Sequence, residues 1–349
     1  MRIAQVSPLY EAVPPRLYGG TERVVAHLTD ALVTLGHEVT LFSSADARTL
    51  GKLAAVRDQA IRLDPAPLKS DLAAHLSQLY EVRRRAAEFD VIHFHTDMIQ
   101  FPMFEDLAAR TITTLHGRLD LKDLAEVYRR WPQFPLVSIS DDQRRPLPFA
   151  NWAATVHHGM SADLYRFSPK GQGYLAFLGR MSPEKRPDRA IAIAAAAGRP
   201  LRMAAKVDNA DRAYFETAIE PLLRHPLVSF VGEIGDGEKS DFLGDADALL
   251  FPIDWPEPFG LVMIEAMACG TPVIAWNNGS VPEIVEQGLT GFIVRSEAEA
   301  RDAISRLPDL DRSAIRARFQ ERFSAIAMAR RYLRIYERLP RTQPLTEAA

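Results

Sequence analysis

The chain has 349 residues, of which 47% are hydrophobic and 25% charged, and its formal net charge is -3 at pH 7. This length exceeds one ordinary hydrophobic core, so we expect two domains, and the charge gives no reason to expect nucleic acid as a partner. The single cysteine, Cys269, excludes an internal disulfide and a cysteine-rich zinc site. Met1 and Arg2 lead directly into a strand pattern, and no apolar run approaches the roughly 20 residues of a membrane span, so we expect a cytoplasmic protein.

Short apolar runs alternate with amphipathic helical patterns along the chain, which is typical of parallel α/β units. In the first half, helices are predicted at 21–35 and 71–88. The strands of this half are predicted at 3–7, 38–43, 91–95, 111–115, 136–139 and 154–157. Residues 163–173 are rich in glycine and proline and form the best linker candidate.

The same alternation restarts after this linker. Helices are predicted at 186–197 and 211–224. The strands of this half are predicted at 174–178, 201–205, 228–231, 248–251, 271–275 and 292–294. A last amphipathic pattern at 323–339 predicts a long helix that returns to brace the first domain.

These patterns predict an α/β protein of two Rossmann-like domains that face each other across a cleft. The first domain is expected to comprise 1–166 together with the crossing helix and tail at 323–349, and the second domain 167–322. No GxGxxG fingerprint occurs in the chain, which counts against a dinucleotide-dependent enzyme. Because ligands of such sheets bind beyond the carboxyl ends of the strands, the loops at those ends are the site candidates.

The stretch 255–275, WPEPFGLVMIEAMACGTPVIA, carries the strongest signal for a binding site. Glu257 precedes a predicted helix that begins at Gly260, and Glu265 is a charge within its apolar interior. A carboxylate in such surroundings is costly unless it is hydrogen-bonded. Two carboxylates at this spacing suit recognition of sugar hydroxyls, and the first-turn amides at 260–262 can receive phosphate. The stretch therefore predicts a nucleotide-sugar site.

Two further loops carry anion-binding features. Gly19 and Gly20 follow the first strand and open a helix, so that a ligand can approach the backbone closely; the alternative is a plain junction capped by Thr21. After the strand at 174–178, Arg180 offers a bidentate fork for phosphate and Lys185 a point charge.

The loop that carries Arg180 and Lys185 also contains a helix-start signal. Ser182 and Pro183 are predicted as N-cap and first helical residue, which puts Lys185 and Arg186 in the first helical turn. The macrodipole disfavours cations there, so their presence makes sense if an anion binds at the same helix end. The alternative for this loop is a solvated basic turn.

The loop at 277–283 follows the predicted strand at 271–275. Ser280 and Glu283 form a plausible capping box, and the alternative is that this glycine-bearing loop lines the sugar pocket.

The histidines raise the question of metal binding. His116 follows the strand at 111–115 and could hydrogen-bond a sugar hydroxyl or a phosphate, or be a satisfied strand-end histidine. His93 and His95 alternate on one strand face, but no third ligand is placed by the sequence, so a metal site is not expected. The acidic pair Asp245 and Asp247 precedes an apolar strand, which favours a turn role over a metal motif.

Together these residues resemble the family 4 retaining glycosyltransferases of the GT-B fold, over essentially the whole chain. The matching pieces are Gly19–Gly20, His116, the G-R-x4-K element of Gly179, Arg180 and Lys185, the E-x7-E element of Glu257 and Glu265, the stretch GSVPEIV at 279–285 and the C-terminal helix. The chain departs from the family at Gly117, where an aspartate is common, and at 205–208, where Ala-Lys-Val-Asp replaces a glycine-rich loop.

The resemblance implies a retaining hexosyltransferase that uses a nucleotide diphosphate sugar and needs no catalytic metal or other cofactor. It implies catalytic roles for His116, Glu257, Arg180 and Lys185. It implies donor binding by Gly19, Gly20, Arg180, Lys185, Glu257, Phe259, Gly260, Leu261, Val262 and Glu265. Arg180 and Lys185 would hold the diphosphate, Glu265 the ribose and Glu257 the transferred sugar.

The substrates are less sharply indicated than the reaction class. A UDP-sugar, UDP-glucose in particular, is favoured over GDP-mannose, and the hydroxyl acceptor is a small molecule, an oligosaccharide or a lipid headgroup. The arginine-rich segments at 83–85 and 144–145 are interpreted as solvated faces, with weak peripheral membrane association as the alternative. Two other functions remain open: a nucleotide-sugar epimerase or hydrolase, and a non-catalytic nucleotide-sugar-binding protein.

Overall fold

The structure is a computed structural model that describes residues 1–16 and 19–340. Backbone contacts divide the chain into two compact units. The first unit runs from Met1 to Met160 and resumes at Ala325, and the second unit runs from Ser161 to Ser324. Each unit is built around its own parallel sheet.

The first unit contains a seven-stranded parallel sheet with the order β3-β2-β1-β4-β5-β6-β7. The central strands are buried on both faces, as expected for strands covered by helices on each side, and they include buried polar residues such as Gln5 and His93. The strands are β1 (Arg2–Val6), β2 (Glu38–Ser44), β3 (Lys52–Arg57), β4 (Val91–Phe94), β5 (Thr111–Thr114), β6 (Leu136–Ser138) and β7 (Trp152–Thr155).

Four α-helices belong to the described part of this unit. They are α1 (Gly20–Thr34), α2 (Asp71–Arg84), α3 (Leu124–Arg130) and the last helix of the chain, α11 (Ala325–Tyr336). Ser70 caps α2 by accepting a hydrogen bond from the amide of Ala73. Helix α11 packs against α1 and buries Tyr332 and Tyr336, so the end of the described chain completes the core of the first unit.

The second unit contains a six-stranded parallel sheet with the order β10-β9-β8-β11-β12-β13. Its strands are β8 (Leu175–Arg180), β9 (Leu201–Lys206), β10 (Val228–Gly232), β11 (Ala248–Phe251), β12 (Val273–Trp276) and β13 (Gly291–Val294). Its helices are α4 (Pro187–Ala196), α5 (Arg212–Tyr214), α6 (Asp236–Gly244), α7 (Leu261–Ala268), α8 (Val281–Ile284), α9 (Glu297–Ser305) and α10 (Arg312–Phe323). Two parallel sheets with flanking helices confirm the predicted α/β class.

Several predicted elements have different bounds. Strand β3 was missed because it is an edge strand in which four of the six residues are charged or alanine, so that only Leu53 and Val56 are strongly apolar. The helix predicted at 211–224 is broken: α5 continues as a π-helix at Phe215–Ile219 and ends in a separate turn at Leu222–Arg224. The helix predicted at 323–339 is also shorter, because Phe323 ends α10 and α11 begins at Ala325.

The domain bounds also differ from those expected. Residues 161–166, which the sequence assigned to the first domain, contact the second unit. Arg316 of α10 donates hydrogen bonds to the carbonyls of Ala162 and Tyr165, at 2.9 and 3.1 Å. The return to the first unit occurs after Ser324 rather than after residue 322.

Candidate active site

Helix α7 is positioned by a glycine at each end. Gly260 adopts a left-handed conformation with φ of 78°, and a Cβ atom there would lie 3.0 Å from Cζ of Phe251. Gly270 follows the helix with φ of 81°. Only glycine combines this backbone conformation with such close approach, so the predicted helix bounds follow from these two residues.

Glu265 is buried in the middle of α7, with its side chain 5% exposed. Its Oε1 atom accepts a hydrogen bond from the hydroxyl of Tyr165 at 2.9 Å and another from Nζ of Lys239 at 3.2 Å. These two donors compensate the cost of burying the carboxylate. Sequence reasoning missed both of them, because Tyr165 lies in the predicted linker and Lys239 in a helix with no site signal.

Glu257 lies before α7 and contacts the cation of a different loop. Its Oε2 atom accepts hydrogen bonds from Nζ of Lys185 and, at 2.9 Å, from the indole nitrogen of Trp255. The ammonium of Lys185 also lies 5.1 Å from the centroid of the Trp255 ring, within the range of a cation–π interaction. Both charged side chains are largely buried. The structure thus joins a predicted phosphate ligand and a predicted sugar ligand.

The loop at 277–283 supports Glu257 from its backbone side. The amide of Ser280 donates to the carbonyl of Glu257 at 3.0 Å. A Cβ atom on Gly279 would lie only 2.3 Å from the Glu257 nitrogen, so a side chain cannot be accommodated there. The predicted capping box is wrong: the hydroxyl of Ser280 donates to the carbonyl of Phe259 at 2.8 Å and makes no hydrogen bond to the start of α8.

Arg180, at the end of β8, is surrounded by carboxylates. Its guanidinium donates to Glu184 at 2.6 Å and lies 3.8 Å from both Asp208 and Asp211. Burial opposes ionisation of Glu184, but hydrogen bonds and the Arg180 charge hold its pKa below the usual value. Burial raises the pKa of Asp211. Lys206 contacts Asp208 at 2.8 Å, so it joins this charged group.

The helix start after Arg180 differs from the prediction. Ser182 precedes a short turn at Pro183–Lys185, and α4 begins only at Pro187. Arg186 adopts a left-handed conformation with φ of 54° between the two, and its guanidinium pairs with Asp188 at 2.8 Å. Proline at the first position of α4 fixes this later start. Lys185 and Arg186 are therefore not in the first turn of α4.

Three more predicted donor-site residues lie around the start of α7. Phe259 is buried and packs edge-on against Phe323 at 6.3 Å. Leu261 and Val262 form the first turn of α7 and are partly exposed.

The remaining predicted residues lie in the first unit. Gly19 is the N-cap of α1, and a Cβ atom there would lie 2.7 Å from Cβ of Pro15. Helix α1 begins at Gly20, so Thr21 is inside the helix and is not its cap. His116 follows β5 and is partly exposed, and its Nε2 atom lies 2.8 Å from Nδ1 of His95. Burial of the ring lowers the pKa of His116 to about 3. His116 is therefore neutral at physiological pH.

Neither a metal cluster nor a membrane helix is found in the described part of the chain. Residues 1–16 and 19–340 contain no group of three or more histidine, cysteine, aspartate or glutamate side chains that could hold a metal ion. None of the helices in these residues is long and apolar enough to cross a bilayer.

Two family models match the chain. Residues 18–211 match the model described as "Glycosyltransferase Family 4", and residues 166–322 match "Glycosyl transferases group 1". The first of these covers more than half of the chain. The chain belongs to glycosyltransferase family 4. It is therefore a hexosyltransferase, as the resemblance implied, and its two-sheet architecture is the GT-B fold.

This family 4 glycosyltransferase is similar to known proteins over almost all of its length. It is 26% identical to a D-inositol 3-phosphate glycosyltransferase from Thermobispora bispora, with 94% of this chain and 92% of the relative covered. It is 25% identical to a phosphatidyl-myo-inositol mannosyltransferase from Mycobacterium leprae, with 97% and 96% covered. The crystal structure of Anabaena Alr3699/HepE in complex with UDP-glucose shares the fold, with a TM-score of 0.71, 19% identity, and 97% and 99% of the two chains covered.

Proposed function

We propose that this glycosyltransferase moves a hexose from a nucleotide diphosphate sugar to a hydroxyl acceptor, with retention at the anomeric carbon and without a catalytic metal. The contact between Lys185 and Glu257 carries the proposal. It combines, in one largely buried pair, a cation suited to a leaving phosphate and a carboxylate suited to sugar hydroxyls.

In the proposed reaction, the bond from the anomeric carbon to the diphosphate breaks and a bond to the acceptor oxygen forms, while the acceptor hydroxyl passes its proton to the leaving diphosphate oxygen. Negative charge develops on the diphosphate as it leaves. Arg180 and Lys185 stabilise that charge, which is the work that a metal ion performs in other transferases. The amides at the start of α7 and at Gly20 assist in holding phosphate.

The two glutamates have separate roles in this proposal. Glu265 accepts hydrogen bonds from the ribose hydroxyls, and Glu257 binds hydroxyls of the transferred sugar. Oε1 of Glu265 is already held by Tyr165 and Lys239, which fixes the carboxylate before any ligand contact. His116 of the first unit contacts the sugar.

For the donor we propose a UDP-sugar, with UDP-glucose favoured over GDP-mannose. This choice is supported by the HepE protein, which shares the fold and was crystallised with UDP-glucose. The relative from Mycobacterium leprae is a mannosyltransferase, which favours a mannosyl donor instead. For the acceptor, the name of the Thermobispora bispora relative favours an inositol phosphate.

A calorimetric titration tests the proposal most directly. The protein is titrated with UDP, GDP and ADP and with their glucose, mannose and N-acetylglucosamine conjugates, with and without EDTA. We expect binding of one nucleotide class that EDTA does not weaken. Loss of binding in EDTA would overturn the metal-independent mechanism, and binding of GDP-mannose alone would overturn the UDP assignment.

Turnover separates transfer from the alternatives. We expect the donor to be consumed rapidly only when an acceptor such as inositol 3-phosphate is present. Fast consumption of the donor alone would favour an epimerase or hydrolase. Donor binding with no turnover across an acceptor screen would favour a non-catalytic nucleotide-sugar-binding protein.

A further inference from the structure

Four histidine side chains of the first unit lie in one continuous row. The ring centroids of His93 and His95 are 4.1 Å apart, those of His95 and His116 5.1 Å, and those of His116 and His158 5.1 Å. His93, His95 and His158 are buried, and His116 as a whole residue is partly exposed. The row is therefore buried at both ends, and its third member, His116, is the one with partial exposure to solvent.

A buried glutamine, Gln5 of β1, connects the row to helix α11. Its Oε1 atom accepts a hydrogen bond from Nε2 of His95 at 2.8 Å. Its Nε2 atom donates to the hydroxyl of Tyr336 at 3.3 Å. The same hydroxyl lies 2.7 Å from Nδ1 of His93, and Nε2 of His93 lies 2.7 Å from the hydroxyl of Thr114.

These contacts determine which histidine nitrogens carry protons. A carbonyl oxygen can only accept, so Nε2 of His95 must carry a hydrogen toward Gln5. In a neutral imidazole the other nitrogen is then an acceptor, so Nδ1 of His95 receives a hydrogen bond from Nε2 of His116 at 2.8 Å. Neutral His116 is left with a lone pair on Nδ1. Burial, which lowers the pKa of His95 and His116, keeps both rings neutral.

We propose that Gln5 and His95 are positioning residues that fix His116 in the tautomer protonated on Nε2, so that its Nδ1 atom can only accept a hydrogen bond. This inference deepens the proposed function and rests on it for the identity of the substrate group. It assigns His116 to a sugar or acceptor hydroxyl and excludes a phosphate oxygen, because a phosphate oxygen would require a donor.

The surroundings of Nδ1 agree with this assignment. Nδ1 of His116 is buried, and it has no hydrogen-bond partner within residues 1–16 and 19–340. An unsatisfied buried N–H is rarer in proteins than an acceptor with an unused lone pair, which favours the lone pair at this position.

Nuclear magnetic resonance of the free protein tests the tautomer without any substrate. The full chain is labelled with nitrogen-15 in histidine, and long-range proton–nitrogen spectra are recorded at neutral pH. The signals are assigned by their loss in His116→Asn and His95→Asn variants. We expect a protonated Nε2 and an unprotonated Nδ1 for His116. A protonated Nδ1, or shifts that average the two tautomers, would overturn the inference; the former is what a reversed Gln5 amide would produce.

A matched pair of glutamine variants tests the role of Gln5. Gln5→Leu keeps the approximate size but removes the acceptor for His95. Gln78→Leu removes a second buried glutamine of the same unit, whose amide donates to the carbonyls of Ser7 and Phe42. In Gln5→Leu we expect nitrogen-15 shifts of His116 that average the two tautomers, and in Gln78→Leu we expect the shifts of the unmodified protein. Unchanged His116 signals in a folded Gln5→Leu protein would show that Gln5 does not fix the ring.

Kinetics then connect the tautomer to turnover. We expect Gln5→Leu to lower kcat by roughly 2- to 10-fold, the effect of one hydrogen bond, with little change in donor affinity. Gln78→Leu is expected to keep kcat. Equal kcat for Gln5→Leu and the unmodified protein would overturn the link to turnover. Absence of transfer in the unmodified protein would overturn the proposed function and leave the tautomer result standing.

Discussion

The Lys185 ammonium and the Trp255 indole both donate to Oε2 of Glu257. One carboxylate oxygen is therefore held by two donors: an ammonium group from the loop after β8, and the indole of Trp255, which lies two residues before Glu257 in the sequence. Because the pair is largely buried, removal of either charge leaves the other with an uncompensated desolvation cost. A change at the proposed phosphate ligand, Lys185, should consequently also affect the proposed sugar ligand, Glu257, and the reverse.

The double substitution Arg180→Ala with Lys185→Ala tests the diphosphate assignment. We expect transfer to be abolished with the fold intact, because both cations that stabilise the leaving group are gone. Transfer is measured by release of the nucleotide diphosphate, and folding by circular dichroism. Arg199→Ala is the control, since Arg199 pairs with Asp247 at the amino-terminal end of the strands, whereas Arg180 lies at the carboxyl end of β8. Near-normal turnover in the double variant would mean that the diphosphate binds elsewhere.

Glu265→Ala tests the ribose assignment. We expect donor binding to weaken by roughly 1.5 to 3 kcal/mol, the value of a hydrogen bond to a charged group. Calorimetry with the preferred nucleotide measures the change. Tyr165→Phe is the matched control, because it removes one hydrogen bond to Glu265 and keeps the carboxylate; a smaller loss of affinity is expected. Unchanged affinity in Glu265→Ala would contradict the assignment.

Two glycine substitutions separate backbone strain from steric fit. Gly279 and Gly288 both have positive φ, of 55° and 74°, but only Gly279 approaches the backbone of Glu257. Gly288→Ala should cost about 1 kcal/mol of unfolding free energy, from conformation alone. Gly279→Ala should cost more and should also weaken donor binding, because Glu257 must move. Urea denaturation and calorimetry compare the two, and equal effects would show that the loop adapts without disturbing Glu257.

Glu22 of α1 should make stability depend on pH. Burial raises the pKa of this carboxyl from 4.5 to about 7, against hydrogen bonds from the backbone of Glu22 and Glu11. The folded state then binds more protons than the unfolded state between these two pH values. The unfolding free energy should therefore fall as pH rises from 4.5 to about 7, by up to about 3 kcal/mol at roughly 1.4 kcal/mol per pKa unit.

The Glu22→Gln variant checks this pH dependence. We expect its unfolding free energy, measured in urea at pH 5 and pH 8, to fall less than that of the unmodified protein. Glu11→Gln is the control, because Glu11 forms an ion pair with Arg62 at 3.0 Å and its charge contributes less to the raised pKa than burial does. The same fall in Glu22→Gln and in the unmodified protein would assign the pH dependence to another group.

Most of the fold could be predicted because apolar strands and amphipathic helices alternate regularly. The donor-site glycines were also visible, since Gly260 and Gly270 flank a largely apolar helical pattern. The partners of the site residues were not visible, because they come from distant parts of the chain. Tyr165 is 100 residues from Glu265, and Lys185 is 72 residues from Glu257. Ser280 shows the same difficulty. Its local sequence predicts a helix cap, but its hydroxyl instead donates a hydrogen bond to the carbonyl of Phe259, 21 residues away.

Because the first unit is closed by α11, one of its two segments is synthesised before the second unit and the other after it. The second unit is one continuous segment and has all of its residues once Ser324 has left the ribosome. The first unit lacks Tyr332 and Tyr336 until α11 has been synthesised, and with them the hydroxyls that contact Thr114 and His93. The second unit can therefore complete its fold before the first, although its residues are translated later.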